Sequence, residues 1–139
     1  MSRIHAASVA ECPIVDIKLQ SGRKIEEARK RYGITQQQFA RDSGMGVRWL
    51  REIEAGNPRS RLDDHLICSY LLDMPTGHIV IPLLFAGHKM IFPRQLATGD
   101  LSEVERSCIE VISQRHLDHL TRALTPLWLT TAGETGVKI

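Results

Sequence analysis

The segment "GITQQQFARDSGMGVRWLREIEAG", from Gly33 to Gly56, limits the possible folds more than any other part of the chain. Two helix-forming runs are separated only by "SGMG", and a link that short cannot lead to a distant element, so the two helices must touch. Glycine in such a break allows the positive backbone angle that a tight helix-to-helix turn needs. Ala40, four residues before Gly44, is small enough for the second helix to cross closely over the first. Phe39, Leu50 and Ile53 are the apolar residues expected to lock that second helix in place. Leu50 and Ile53 stand three apart on one helical face, so Val47, Arg48, Arg51 and Glu52 project from the other.

The flanking sequence extends the helical reading. Ser21 is expected to cap a helix through "GRKIEEARKRY" that stops at Gly33. Thr35 caps the next, with Gln38 three residues on in the position of a capping box. Gly46 opens "VRWLREIEA", which Gly56 terminates. Ser60 begins "RLDDHLICSYLLDM", with two aspartates in its first turn, where the helix dipole favours them. Before these helices, "VDIKLQ" alternates apolar and polar residues and reads as a half-buried strand over Val15–Leu19. Residues 1–13 read as an arm.

Charge is unevenly placed. Residues 23–61 contain 10 Lys+Arg against 5 Asp+Glu, whereas residues 62–139 contain 6 against 9. A basic N-terminal half and a mildly acidic C-terminal half suggest an anion-binding module beside a separate partner-facing part. Cys12, Cys68 and Cys108 are odd in number and far apart, with no disulfide framework. "MSRIHAASVAEC" lacks the apolar core of a secretory signal, and "IVIPLLFAG" is far shorter than the roughly 20 residues of a membrane span. The expected compartment is the cytoplasm, with no membrane contact.

Beyond Met74 the signals are mixed. "HIVIPLLFAGHKMIF" is short and β-branched at its start, and it reads as a hairpin turning at "AGH" that supplies a partner for the Val15–Leu19 strand. A long helix, capped by Asp100 or Ser102, runs through "SEVERSCIEVISQRHLDHLTRAL" to Pro126. Val104, Cys108, Val111, Ile112, Leu120, Ala123 and Leu124 form its apolar stripe. The last ten residues read as a frayed tail.

The stretch "RKRYGITQQQFARDSGMGVRWLREIEAG" resembles the lambda-repressor-like (Cro/CI-type, XRE) helix-turn-helix family. The matching features are Arg29 ahead of a Gly-x-Thr-Gln opening, Gln36, the Ala40–Gly44 pair, and the Ile-Glu-x-Gly ending at Ile53, Glu54 and Gly56. The likeness covers roughly Ser21 to Met74. It implies a mainly α fold, with a helix-turn-helix head over residues 21–74 and an N-terminal arm and strand over residues 1–20. A C-terminal extension over residues 75–139 would then carry the long helix and the short β-hairpin.

The resemblance also implies a function: sequence-specific binding of double-stranded DNA through the major groove, as a homodimeric transcriptional repressor reading a palindromic operator. By position, Val47, Arg48, Arg51 and Glu52 would read base edges, and Gln36 would bind a phosphate. Asn57, Arg59 and Arg61 follow in a loop expected to lie along the DNA backbone and add sequence-independent affinity. Arg29 and Glu54 would form a structural ion pair. Trp49 replaces a small residue of the family, and either packs beneath the N-terminal strand or lies against the sugar-phosphate wall. The other reading is an antitoxin-type or adaptor protein whose C-terminal half grips a protein partner while the head binds its own promoter.

Other chemistry finds little support. His65 and Cys68, and likewise His116 and His119, stand three apart on helices, but neither pair completes a metal-ligand set. No phosphate loop, carboxylate pair or nucleophile–base arrangement is present, so neither an enzyme nor a cofactor is expected. A ligand-responsive sensor would need a pocket in the C-terminal half, and the sequence shows none.

Overall fold

The structure is a computed structural model that describes residues 13–126 and 128. The described part is mainly helical, with seven helices and no strand among the described residues: α1 (Pro13–Arg31), α2 (Gln36–Ser43), α3 (Val47–Glu54), α4 (Leu62–Leu71), α5 (Gly77–Gly87), α6 (Arg94–Ala97) and α7 (Ser102–Leu124). The chain divides into two compact units, one ending at Leu101 and one beginning at Ser102. The expected N-terminal arm, apart from Pro13, and the frayed tail lie outside the described residues.

In the first unit α1 is the central element, packing on α3, α4 and α5. The expected strand over Val15–Leu19 is instead the first half of this helix, and Ser21 is an interior residue, not a cap. Alternation over five residues does not separate a strand from a helix. The longer pattern decides, because Ile17, Ser21, Ile25 and Ala28 recur at helical spacing and all are buried. Pro13 suits a first helical position, Asp16 lies in the first turn, and Arg29, Lys30 and Arg31 lie in the last, all favourable to the helix dipole.

The "SG" at Ser21–Gly22 is small because of a close crossing, not a helix boundary. A methyl group added to Gly22 would collide with the carbonyl oxygens of Ile53 and Glu54 at the end of α3. Gly56, just past that end, lies against the backbone of Leu19 in the same way. Backbone-to-backbone contact thus fixes α3 against α1. Ile25, Ala28, Phe39, Ala40, Leu50, Ile53, Cys68 and Leu72 then close the core, with Trp49 and Met74 packed at its edge.

Five helices stop in the same way. After α1, α2, α3, α4 and α5 the chain enters the left-handed region at Gly33, Gly44, Gly56, Asp73 and Lys89, respectively. In each case the next amide reaches back five residues: Ile34 to Arg29, Met45 to Ala40, Asn57 to Glu52, Met74 to Ser69 and Met90 to Phe85, at 2.8–3.2 Å. This is the Schellman termination, which satisfies carbonyls that would otherwise lack partners.

The hairpin expected after Met74 is also corrected, since the segment forms α5. Its β-branched run, Ile79 to Ile81, is outweighed by tertiary packing. His78, Ile79 and Pro82 recur at helical spacing and are buried, on a helix that packs against α1. Pro82 lies inside α5, where it removes one backbone donor. The turn lies at Lys89, beyond "AGH".

A hydrogen-bond chain buried beneath α1 links three parts of this unit. The Ser60 hydroxyl donates to the Asn57 carbonyl at 2.5 Å and lies 2.8 Å from His65 Nε2, while His65 Nδ1 lies 2.9 Å from the Ser21 hydroxyl. With its proton committed to Asn57, Ser60 must accept from Nε2–H, so Nδ1 accepts from Ser21. Burial, followed by the charge of Lys18, pushes the His65 pKa down to about 4, and the ring is neutral.

The second unit is built on α7, of 23 residues, with Glu103 and Glu105 in its first turn and Arg122 in its last. None of its residues is buried: Ile109, Ile112 and Leu124 are 64%, 68% and 75% exposed.

Candidate nucleic-acid interface

Helix α2 begins with a complete capping box. The Thr35 hydroxyl accepts from the Gln38 amide at 3.1 Å, and the Gln38 side chain accepts from the Thr35 amide at 3.0 Å. Gly44, at φ 73°, turns the chain directly into α3, which opens at Gly46 in extended conformation. No side chain lies near Gly44, so its role is conformational.

On α3, Leu50, Ile53 and Glu54 are buried, whereas Arg48 and Arg51 are exposed. Val47 and Glu52 are only half-exposed, and Val47 packs partly on the core cluster. The projecting face expected from the sequence is therefore narrower, and its two exposed members are both arginines.

Trp49 does not pack beneath an N-terminal strand, because residues 15–19 belong to α1. It packs at the core edge, and its indole N–H donates to Asp64 Oδ2 at 2.6 Å, joining α3 to the first turn of α4. Nothing in the local pattern indicates this bond, because its acceptor lies fifteen residues away on another helix.

Arg29 and Glu54 meet across α1 and α3. Arg29 Nη2 lies 2.8 Å from Glu54 Oε1, and Arg29 Nε contacts both carboxylate oxygens at 3.2 and 3.0 Å. Arg29 Nη1 also donates to the Ile34 carbonyl at 2.7 Å, so one guanidinium holds both the turn before α2 and the end of α3. The two side chains are 8% and 3% exposed.

Gln36 continues this network outward. Its amide nitrogen reaches Glu54 Oε1 at 3.4 Å, and its amide oxygen accepts from Arg51 Nε at 3.3 Å. These long bonds align Arg51 from the start of α2 and leave both of its terminal nitrogens outside that contact.

In the loop after α3, the Asn57 side chain accepts from the Arg59 amide at 2.9 Å. Lys18 of α1 donates to the neighbouring Pro58 carbonyl at 2.9 Å. Arg59 is exposed. Arg61 pairs with Asp63 at 2.9 Å, with side chains 70% and 56% exposed, a surface pair that adds little stability. The expected loop residues are thus brought together, with the Asn57 side chain committed to shaping the turn.

His65 and Cys68 have separate neighbours. His65 lies between two serines, and Cys68 is buried with its thiol 3.9 Å from Met45 Sδ. Among the described residues no group of three or more His, Cys, Asp or Glu could hold a metal ion, and no helix is long and apolar enough to cross a membrane. Comparison of the chain with protein-family models, curated proteins and solved structures finds no match.

Proposed function

We propose that this chain is a sequence-specific, double-stranded DNA-binding transcriptional regulator of the cytoplasm, built on a lambda-repressor-like helix-turn-helix, with no catalytic activity of its own. The observation that carries the reading is the division of α3. One face is buried through Leu50 and Ile53, while Arg48 and Arg51 stand exposed on a helix that opens directly from the Gly44 turn. A helix held in this way enters a major groove, where an arginine donates two hydrogen bonds to guanine, worth about 1–3 kcal/mol of discrimination. Gln36 aligns Arg51, and Arg59 and Arg61 lie in the following loop, placed to follow phosphates.

A single such head reads one half-site, so the proposed active form is a homodimer acting as a repressor by covering a promoter. The exposed Ile109, Ile112 and Leu124 of α7 favour that segment as the partner-facing part. The same exposure supports the second reading, an antitoxin-type or adaptor protein that uses α7 to grip a different protein.

The test is selection from a random duplex library, followed by salt titration of the winner against scrambled DNA. A palindromic winner, bound more tightly than scrambled DNA at every salt concentration, is expected. Absence of enrichment overturns the reading.

A further inference from the structure

A groove of about 490 Å³ lies between α1, α5 and the chain from Met90 to Ala97, entirely within the first unit. Its apolar lining includes Ile17, Pro82, Met90 and Phe92. Ile17 and Pro82 are buried, and Phe92 is held by an edge-on contact with Phe85, with ring centres 5.2 Å apart. The volume falls within the range of sites that take small organic molecules, roughly 300–1,000 Å³.

Two residues of opposite charge belong to the same lining and come from different elements. Asp16 lies in the first turn of α1, and Arg94 is the first residue of α6. Both are exposed. Neither side chain makes a hydrogen bond or ion pair among the described residues, so the two charges do not neutralise each other. Asp16 suits the dipole of α1, but α6 is a single turn and gives Arg94 no comparable use. An apolar cleft with one unpaired carboxylate and one unpaired guanidinium is complementary to a molecule that carries both charges on a hydrocarbon body. A ligand with one charge would meet a group of like sign in the same cleft, and an uncharged one would leave both unmatched.

The geometry points to this groove as a binding site for a small zwitterion, of the class of α-amino acids with an apolar side chain. Its ammonium pairs with Asp16, its carboxylate with Arg94, and its side chain packs on the apolar lining. A guanidinium fork matches a carboxylate through two parallel hydrogen bonds. An aromatic side chain suits a proline face, a methionine thioether and a phenylalanine ring. A segment of a longer peptide is a poorer match, because its internal residues carry neither terminal charge. On the regulator reading such a ligand is an effector, although the site does not rest on that reading.

The test uses the full-length wild-type chain with labelled isoleucine and methionine methyl groups, titrated with L-phenylalanine and two analogues. One analogue, 2-phenylethylamine, lacks the carboxylate; the other, 3-phenylpropanoate, lacks the ammonium. The expected result is saturable binding of phenylalanine, about fivefold tighter than either analogue, as suits ion pairs at exposed groups. The methyl signals of Ile17 and Met90 should move. In Asp16→Asn the affinity for phenylalanine should fall to that for 3-phenylpropanoate, with no loss for that analogue. In Arg94→Gln it should fall to that for 2-phenylethylamine, with no loss for the amine. Failure of phenylalanine to saturate, an analogue that binds as tightly, or unmoved Ile17 and Met90 signals would each overturn the assignment. The wild-type titrations decide the matter even if a variant does not fold. None of these readouts involves DNA, so their failure is distinct from failure of the regulator reading.

Discussion

Arg29 and Glu54 form a shielded ion pair in which the arginine also holds the Ile34 carbonyl, so one contact joins the end of α1, the turn before α2 and the end of α3. Removing the carboxylate leaves a buried guanidinium without its partner. Glu54→Ala is expected to destabilise the protein by about 3–5 kcal/mol, measured by denaturant unfolding. Replacing both residues together should cost less than the sum of the two single changes. A single-variant loss under about 1 kcal/mol would mean that solvent already reaches the pair.

Stability should fall in mild acid. His65 and His78 are both held near 4, below their ordinary 6.5, so the unfolded chain takes up their protons first as the pH drops. Their contribution is fully present above about pH 6.5 and declines as the pH falls toward 4. Each contributes about 3 kcal/mol over that interval. Urea midpoints at pH 7.5, 6, 5 and 4.5 should fall progressively; a flat series down to pH 5 would contradict burial of the two rings as neutral groups.

Lys89 ends α5 at φ 59°, a conformation that L-residues other than asparagine and aspartate rarely adopt. Its side chain makes no hydrogen bond or ion pair among the described residues. Lys89→Gly is therefore expected to raise stability by about 0.5–1 kcal/mol despite the greater freedom of the unfolded chain. A thermal scan showing no gain, or a loss, would indicate that the lysine side chain contributes an interaction of its own.

The two exposed arginines of α3 should behave differently. Arg48 has no hydrogen-bond or ion-pair partner among the described residues, whereas Arg51 is aligned by Gln36. On the regulator reading, Arg48→Ala relaxes one base position per half-site by about 1–3 kcal/mol and leaves folding unchanged. Gln36→Ala weakens binding to specific and scrambled duplexes alike and leaves the salt dependence nearly unchanged, because glutamine carries no charge. Quantitative binding to single-base variants of the selected site separates the two patterns, and identical effects would remove the distinction.

The helices with strong punctuation were readable in advance. Thr35 with Gln38, the turn at Gly44 and the stop at Gly56 are local devices that act through neighbouring residues, and they mark α2 and α3 where the structure has them. The long apolar periodicity of α7 was legible for the same reason. The first half of α1 and all of α5 were not. Five alternating residues fit either period, and "SG" at Ser21–Gly22 resembles a boundary when its smallness serves contact with a segment thirty residues away. α5 ends on a lysine in a position usually given to glycine, so its stop signal was hidden. The Trp49–Asp64 bond, the serine–histidine–serine chain and the groove between α1 and α5 all depend on distant residues meeting, which local pattern does not encode.

The shared helix terminations set different limits on how this sequence can drift. Gly33 and Gly44 have no atom near the position a side chain would occupy, and Asp73 and Lys89 already hold the same turn with side chains attached. At those two glycines a lineage can substitute asparagine or aspartate and lose little more than a fraction of its stability margin. Gly56 has no such freedom, because the backbone of Leu19 occupies the space that any side chain would need. Among descendants of this chain, the end of α3 should be the slowest-changing of the three glycine stops, because of a neighbour lying nearly forty residues earlier and not because of the turn itself.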